Sequence, residues 1–422
     1  MKYVIIGAGP AGVTVAETLR EYDDQSEIVM LTAEPYPPYS PPALLEYFLT
    51  GNPLHFWKGE NFPERLELDY RSGRRVLQVV PSEKILQLDN GEKLAYERLV
   101  IASGGRLYAP LSGSDKEGIH NFKSLQAGQA LMERVRSREI RTALIVGAGF
   151  IGVEVALMLQ KMGLEVTLLV RSRPMRGILD PETSQIVQET LRSRGVNIRE
   201  GQDADATGFF GEERAEGVQL RSGKELTADL LVAATGLKPN IEFLSDSGIA
   251  TNWGVLVDDY LCAGSPDIYA VGDVSETSER LDGERGNLYP NYPNAVEQGR
   301  TAGYNLLGWS LVYSGAENIN SLKHLGLPVM AAGSMEGEEL RVCRNGNLRK
   351  LWVKEGRLVG FRLAGDVSCA GLFLNLIRRA VDISAIKEIL LTPNFNISYL
   401  IGMAMTPGLD VTHPFTYPSK KM

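Results

Sequence analysis

The chain has 422 residues and a formal net charge of −8, with 44% hydrophobic and 23% charged residues. A mildly acidic chain of ordinary composition is a poor candidate for binding nucleic acid, and no apolar run reaches the roughly 20 residues that span a membrane. The three cysteines, Cys262, Cys343 and Cys369, form no CxxC pair, and the four histidines are scattered. The sequence therefore predicts no metal site and no disulfide scaffold, and the simplest expected location is the cytoplasm.

The first functional motif lies at the N-terminus, in "YVIIGAGPAGVTVAETLR". A predicted strand runs into Gly7-x-Gly9-x-x-Gly12, a helix follows, and the next strand ends just before Glu34. Gly7 allows the tight turn, and Gly9 lets a pyrophosphate approach the helix N-terminus. Glu34 can accept hydrogen bonds from a ribose diol. The complete order of strand, glycines, helix, strand and acid predicts a dinucleotide-binding unit.

A second copy of this motif lies in "TALIVGAGFIGVEVALMLQKMGLEVTLLV", beginning at Gly147. At the tip of its second strand the acid is replaced by Arg171, with Arg173 and Arg176 close behind. An arginine there suits a ribose 2′-phosphate, whereas a carboxylate suits a ribose diol. The second site is therefore predicted to favour NADPH. The alternative is a solvated basic loop beside a bound NADH.

Two dinucleotide motifs in one chain imply two dinucleotides, and the economical pair is FAD with NAD(P)H. The segments "LVIASGG" and "LLVAATGLKPN" are apolar strands that break at glycine, as expected where a chain passes between nucleotide domains. In "IYAVGDV", Asp273 stands at a strand tip, where it can accept a hydrogen bond from a ribityl hydroxyl. A helix beginning near Pro293 would direct free N–H groups towards a flavin.

The order GAGPAG, Glu34, Ser103-Gly104, GAGFIGVE, ATGLKPN and AVGDV resembles the two-dinucleotide-binding-domain flavoproteins, the relatives of glutathione reductase. The pattern is most similar to the NAD(P)H:rubredoxin and ferredoxin reductases. This resemblance implies an α/β fold with two Rossmann-like domains and an α+β C-terminal interface domain. It implies an FAD-binding domain at residues 1–110 and 242–310, an NAD(P)-binding domain at 111–241, and the interface domain at 311–422.

The resemblance also implies individual site residues. The expected FAD contacts are Gly7, Gly9, Pro10, Ala11, Gly12, Glu34, Val79, Ser103, Gly104, Asp273 and Ala295. The expected NAD(P) contacts are Gly147, Gly149, Phe150, Ile151, Gly152, Glu154, Arg171, Arg173 and Gly236. Glu154 matches a family glutamate near the nicotinamide and the flavin, and it is the candidate catalytic residue. A buried, paired structural acid is the alternative interpretation of Glu154.

The strip "PYPPYSPPALLEY" departs from the family. Several relatives carry a redox-active cysteine here, and others carry an arginine beside a proline. In this chain Pro42 stands at the cysteine position, and Pro41 stands at the arginine position. The strip therefore predicts direct electron transfer from the flavin rather than disulfide chemistry. Neither Cys262 nor Cys369 lies in the strip.

The leading hypothesis is an FAD-dependent NAD(P)H oxidoreductase that passes electrons to a rubredoxin-like or ferredoxin-like protein, or to a partner subunit. The alternatives are an NAD(P)H oxidase, a persulfide or coenzyme A-disulfide reductase, and a flavoprotein subunit of a larger complex. A homodimer or a heteromeric complex is expected. In the C-terminal region Glu355-Gly356 predicts a hairpin, and residues 370–381 and 383–391 are predicted to be helical. The apolar segment 400–415 is expected to be buried.

Overall fold

A computed structural model describes residues 1–54, 59–137, 139–323, 326–393 and 395–399. The chain divides into two units, Met1–Gly326 and Leu327–Met422. Within the described residues, no helix is long and apolar enough to cross a membrane. The same residues contain no cluster of three or more side chains that could hold a metal ion. The apolar segment 400–415 lies outside the described residues.

Each described α-helix begins close to a polar, glycine or proline residue. They are α1 (Pro10–Tyr22), α2 (Leu44–Thr50), α3 (Phe62–Arg65), α4 (Leu125–Val135), α5 (Phe150–Lys161), α6 (Pro181–Ser193), α7 (Tyr292–Leu306) and α8 (Ala370–Arg379). Short 3-10 helices occur at Pro41–Ala43, Gly201–Ala204, Glu242–Leu244 and Ile389–Leu391.

The strands supply the sheets of both units. They are β1 (Lys2–Ile6), β2 (Glu27–Leu31), β3 (Asp69–Arg71), β4 (Val76–Val80), β5 (Ile85–Leu88), β6 (Lys93–Ala95), β7 (Arg98–Ile101), β8 (Gly105–Leu107), β9 (Ile119–His120), β10 (Thr142–Val146), β11 (Glu165–Val170), β12 (Asn197–Glu200), β13 (Ala206–Phe210), β14 (Gly217–Leu220), β15 (Glu225–Thr227), β16 (Leu230–Ala233), β17 (Leu237–Pro239), β18 (Val255–Leu256), β19 (Cys262–Ser265), β20 (Ile268–Ala270), β21 (Ser275–Glu276), β22 (Ile319–Leu322), β23 (Val329–Gly333), β24 (Glu338–Arg344), β25 (Asn347–Lys354) and β26 (Arg357–Ala364).

The first large sheet has the strand order β19-β20-β7-β1-β2-β3, and β1 pairs in parallel with both β2 and β7. Alternate residues of β1 enter two different buried clusters, Tyr3 and Ile5 on one face and Val4 and Ile6 on the other. A sheet buried on both faces explains why β1 is a continuous apolar run. Helices α1 and α7 cross closely, since a Cβ at Gly299 would lie 2.4 Å from the Ala11 carbonyl oxygen.

The second large sheet has the order β12-β11-β10-β16-β9, and all of its pairs are parallel. Helix α5 is buried along most of its length, as its nearly continuous apolar sequence requires. Both sheets are built mainly from parallel pairs, although β19 pairs antiparallel with β20 at the edge of the first. Two such sheets that each carry a glycine turn and a helix confirm the predicted pair of Rossmann-like folds.

The chain passes between the two sheets through one antiparallel ribbon. Strand β8 pairs with β17 at Leu107 with Leu237, Arg106 with Lys238, and Gly105 with Pro239. Side chains strengthen the ribbon at its end, where the Ser103 hydroxyl donates to the Asn240 carbonyl at 2.8 Å. In return, the Asn240 amide donates to the Ser103 carbonyl at 2.9 Å. The two segments that connect the sheets, β8 and β17, therefore lie side by side.

The second unit contains an antiparallel sheet in which β26 lies between β23 and β25, and β25 pairs with β24. The predicted hairpin at Glu355-Gly356 is confirmed, with positive φ angles of 51° and 74°, as a tight two-residue turn requires. Helix α8 confirms the prediction over 370–381 in its main part. The helix predicted over 383–391 is wrong, because only the 3-10 turn at its end forms. The stretch closes successive i+3 turns instead, in which the Ile386 N–H donates to the Ile383 carbonyl and the Ile389 N–H donates to the Ile386 carbonyl, each at 2.9 Å.

Candidate active site

The first glycine turn is closed against the neighbouring strand. Gly7 has a φ of 113°, and a Cβ there would lie 2.1 Å from the Ala102 carbonyl oxygen. A Cβ on Gly12 would lie equally close to the Gly7 carbonyl oxygen, at 2.1 Å. By contrast, a Cβ on Gly9 would meet no atom within 4 Å. Gly7 and Gly12 therefore shape the turn, whereas the open side of Gly9 leaves a cradle at the N-terminus of α1.

The second glycine turn repeats these contacts. Gly147 has a φ of 104°, and its Cβ would lie 2.4 Å from the Ala234 carbonyl oxygen. A Cβ on Gly152 would lie 1.9 Å from the Gly147 carbonyl oxygen, whereas one on Gly149 would meet no atom within 4 Å. The N-terminus of α5 thus carries the same kind of cradle. Backbone N–H groups at such a helix end favour a phosphate.

A cleft of about 610 Å³ opens at the carboxyl ends of β1, β2, β7 and β20. This position is where open parallel sheets bind their ligands. The predicted residues on its wall are Gly7, Gly9, Pro10, Ala11, Glu34, Ser103, Gly104, Asp273 and Ala295. Gly12 and Val79 are not among the described lining residues. Val79 packs in the core, and the residue of β4 that reaches the wall is Val76.

The proline strip forms one side of the first cleft. Pro37, Pro38, Pro41 and Pro42 all line it, and α2 begins directly after the 3-10 turn Pro41–Ala43. No described residue of the strip supplies a thiol. Cys262, in the same unit, lies outside the described lining of the cleft and donates its thiol to the Ser265 carbonyl at 2.8 Å. Burial raises the pKa of that thiol.

Asp273 has a cationic partner that the sequence motifs did not indicate. The Lys123 ammonium lies 2.9 Å from Asp273 Oδ2, and Lys123 lines the first cleft. Lys123 precedes the N-terminus of α4 and has no motif of its own. Its role beside Asp273 becomes visible only in the folded structure, which brings these two distant segments together.

A second cleft, of about 870 Å³, opens at the carboxyl ends of β10, β11 and β16. The predicted residues on its wall are Gly147, Gly149, Phe150, Ile151, Arg171, Arg173 and Gly236. Gly152 and Glu154 are not among its described lining residues. Arg176, the third arginine behind the strand tip, also lines it, and Phe122 lines it without having been predicted.

The basic rim of the second cleft contains a polar atom without a partner. Arg173 Nε is buried and finds no hydrogen-bond partner in the described part of the chain, although the same guanidinium donates to the Arg176 carbonyl at 3.3 Å. Arg171 lies exposed at the end of β11. A buried guanidinium nitrogen that lacks a partner fits an anionic ligand, because leaving it unpaired is unfavourable.

Glu154 lies one helical turn beyond Phe150 and Ile151, on the same face of α5. The cleft wall ends before it, and the carboxyl group is largely buried. Burial raises the pKa of Glu154 from its usual 4.5 to about 7, although the positive charge of Lys323 opposes the change. The carboxyl group can therefore hold or release a proton near neutral pH.

The two clefts adjoin each other. Among the described residues, four line both of them: Leu107, Lys123, Pro290 and Asn291. Leu107 lies in the ribbon, and Asn291 caps α7 by accepting the Asn294 N–H at 2.9 Å. Ligands in the two clefts would therefore meet at this shared wall.

Two mainly parallel sheets, two glycine cradles and two adjoining clefts define a protein with paired dinucleotide-binding modules. The chain belongs to the pyridine nucleotide-disulphide oxidoreductase family, whose model matches residues 1–299.

The chain is similar to several characterised proteins. It is 28% identical over 405 residues to the assimilatory nitrate reductase electron transfer subunit of Bacillus subtilis, covering 93% of this chain but only 51% of that protein. It is 30% identical over 314 residues to the rubredoxin-NAD(+) reductase of Acinetobacter baylyi, covering 72% of this chain and 78% of that protein. Its fold is similar to that of a NAD-dependent persulfide reductase from A. fulgidus, with a TM-score of 0.84, 25% identity, and coverage of 92% and 79% of the two chains.

Proposed function

We propose that the protein is an FAD-dependent NAD(P)H oxidoreductase that delivers electrons to a redox protein or a partner subunit. The observation that carries this proposal is the shared wall between the two clefts, each of which opens beside its own glycine cradle. Family membership supports the pair of cofactors. Residues 1–110 and 242–310 would form the FAD domain, 111–241 the NAD(P) domain, and 311–422 the interface domain.

FAD would occupy the first cleft. The cradle at Gly9 would receive its pyrophosphate, Glu34 would accept hydrogen bonds from its adenosine ribose, and Asp273 would accept one from its ribityl chain. NAD(P)H would occupy the second cleft, with its pyrophosphate at Gly149. When both are bound, the nicotinamide supplies hydride and the flavin accepts and passes on two electrons.

The residues of this chain contribute position and electrostatics to that reaction. The shared wall brings the two ligands together, which replaces a bimolecular encounter by a fixed geometry. The proline strip forms one side of the first cleft without offering a thiol. Lys123 fixes the Asp273 carboxylate and places a positive charge where the clefts meet. Glu154 can hold a proton beside the second cleft near neutral pH.

We propose NADPH as the preferred reductant, because Arg171 and the partly unpaired Arg173 line the second cleft where a carboxylate would select NADH. Arg171→Ala should lower the ratio of kcat/KM for NADPH to that for NADH by about tenfold to a hundredfold. Arg192→Ala removes an equal charge from α6, away from the cleft wall, and should leave the ratio unchanged. An unchanged ratio in Arg171→Ala would contradict the phosphate role.

The acceptor is proposed to be a rubredoxin-like or ferredoxin-like protein, or a partner subunit, as the names of the relatives suggest for those proteins. The NADPH-reduced protein should be mixed with rubredoxin, ferredoxin, a quinone, O₂ and a persulfide in separate stopped-flow runs. Reoxidation should be fastest with the iron–sulfur or rubredoxin acceptors. Fastest reoxidation by O₂ or by the persulfide would instead identify an oxidase or a persulfide reductase.

A further inference from the structure

The carboxylate of Glu34 is held before any ligand reaches it. The Tyr39 hydroxyl donates to Glu34 Oε2 at 2.8 Å, and the Gln126 N–H makes a longer contact of 3.5 Å with Glu34 Oε1. Both Glu34 and Tyr39 line the first cleft. Because a carboxylate can accept about four hydrogen bonds, Glu34 keeps acceptor capacity for a ribose diol while Tyr39 fixes its rotamer.

Tyr39 is itself held from the other side. Its hydroxyl oxygen accepts the Leu125 N–H at 3.0 Å, which is one of the N–H groups that a helix leaves unpaired at its start. Burial and the neighbouring Glu34 raise the pKa of Tyr39, so the phenol keeps the proton that it donates. A continuous hydrogen-bonded chain therefore runs from Glu34 through Tyr39 to the first turn of α4.

This chain of contacts links two separate parts of the sequence. Glu34 and Tyr39 follow β2 of the first large sheet, whereas α4 follows β9, the edge strand of the second. We propose that Tyr39 is a positioning residue that aims Glu34 at the adenosine ribose of FAD and couples occupancy of that site to the first turn of α4. The proposal rests on the proposed binding of FAD in the first cleft.

The same strip offers a matched control in Tyr36. The Tyr36 hydroxyl donates to Gln129 Oε1 at 2.5 Å, so it also ties the strip to α4, but it does not reach Glu34. Tyr36→Phe and Tyr39→Phe each remove one hydroxyl between the same two elements. General loosening of the strip should follow from both substitutions, whereas loss of the fixed Glu34 carboxylate should follow only from Tyr39→Phe.

The test measures the Kd of the flavin-free protein for FAD and for the FAD analogue that carries 2′-deoxyadenosine. Wild type and Tyr36→Phe should bind the analogue about tenfold more weakly than FAD, because the analogue lacks one hydroxyl that Glu34 would accept. Tyr39→Phe should bind FAD about tenfold more weakly, and its preference for FAD over the analogue should fall to about threefold or less.

The proposal would be overturned if Tyr39→Phe kept the wild-type preference for FAD over the analogue. It would also be overturned if Tyr36→Phe lost as much of this preference as Tyr39→Phe. Neither result would contradict the binding of FAD. Failure of the wild type to bind FAD would instead refute the proposed function. If Tyr39→Phe does not fold, hydrogen exchange on the wild type decides the question. FAD should slow exchange of the Leu125 and Gln126 amides, and FMN, which lacks the adenosine, should not. Equal protection by FMN would overturn the coupling.

Discussion

Glu154 should make the protein less stable as the pH rises towards neutrality. Its pKa is raised by burial from 4.5 to about 7, so between these two values the folded state holds a proton that the unfolded state has released. Because the folded state binds more protons there, stability falls with increasing pH. The full difference of 2.5 pKa units corresponds to about 3 kcal/mol at 1.36 kcal/mol per unit.

The perturbation is Glu154→Gln, which mimics the protonated acid at every pH. At pH 5 the variant and the wild type should unfold at similar urea concentrations, whereas at pH 8 the variant should be more stable by up to about 3 kcal/mol. Glu165→Gln removes an exposed acid from β11 and serves as the charge-matched control. The difference in the free energy of unfolding between this variant and the wild type should be the same at pH 5 and at pH 8. If the difference in the free energy of unfolding between the wild type and Glu154→Gln is the same at pH 5 and at pH 8, the raised pKa of Glu154 is refuted.

Further predictions concern the glycine cradles and the lysine at the shared wall. Gly152→Ala should lower the Tm by about 5 °C or more, because its Cβ would lie 1.9 Å from the Gly147 carbonyl oxygen. Gly149→Ala should leave the Tm unchanged but raise the KM for NAD(P)H about tenfold, and a matching loss of Tm would contradict the assignment of open space at Gly149. Lys123→Met should speed flavin release about tenfold, measured by the recovery of free flavin fluorescence, because Asp273 loses its cation. Retention of flavin as in the wild type would show that the ion pair plays no part in the site.

The elements that carry strong local signals could be predicted from the sequence. Apolar runs followed by spaced glycines specify β1 with α1 and β10 with α5, because only glycine fits the close carbonyl contacts at Gly7 and Gly147. The Glu355-Gly356 hairpin could also be predicted locally, because two apolar strands flank a two-residue turn that ends in glycine. The stretch 383–391 has a helical apolar pattern, but its backbone closes i+3 turns from Ile383 to Ile386 and from Ile386 to Ile389. Apolar residues at every third position suit such turns as well as an α-helix.

Contacts between distant segments were beyond the reach of such patterns. Lys123 meets Asp273 across 150 positions, and Tyr39 meets Leu125 across 86. Neither pair has a characteristic spacing, because the sheets and not the local sequence bring them together. The same limit applies to β4, because the sequence locates the strand but does not show that Val76 is its residue on the cleft wall.

The ribbon of β8 and β17 has a consequence for how such a chain can be recombined. Its three residue pairs are consecutive. The two ends of the segment 108–236 are therefore joined to the rest of the chain through neighbouring strands. A cassette cut at Leu107 and Leu237 could be exchanged between relatives while only a few backbone pairs are kept in register. The bond from Leu125 to Tyr39 would survive such an exchange, because its donor is a main-chain N–H that any residue except proline supplies. Preference for one reductant could thus be transplanted as a single block if the incoming block keeps Lys123, which lines the first cleft and pairs with Asp273.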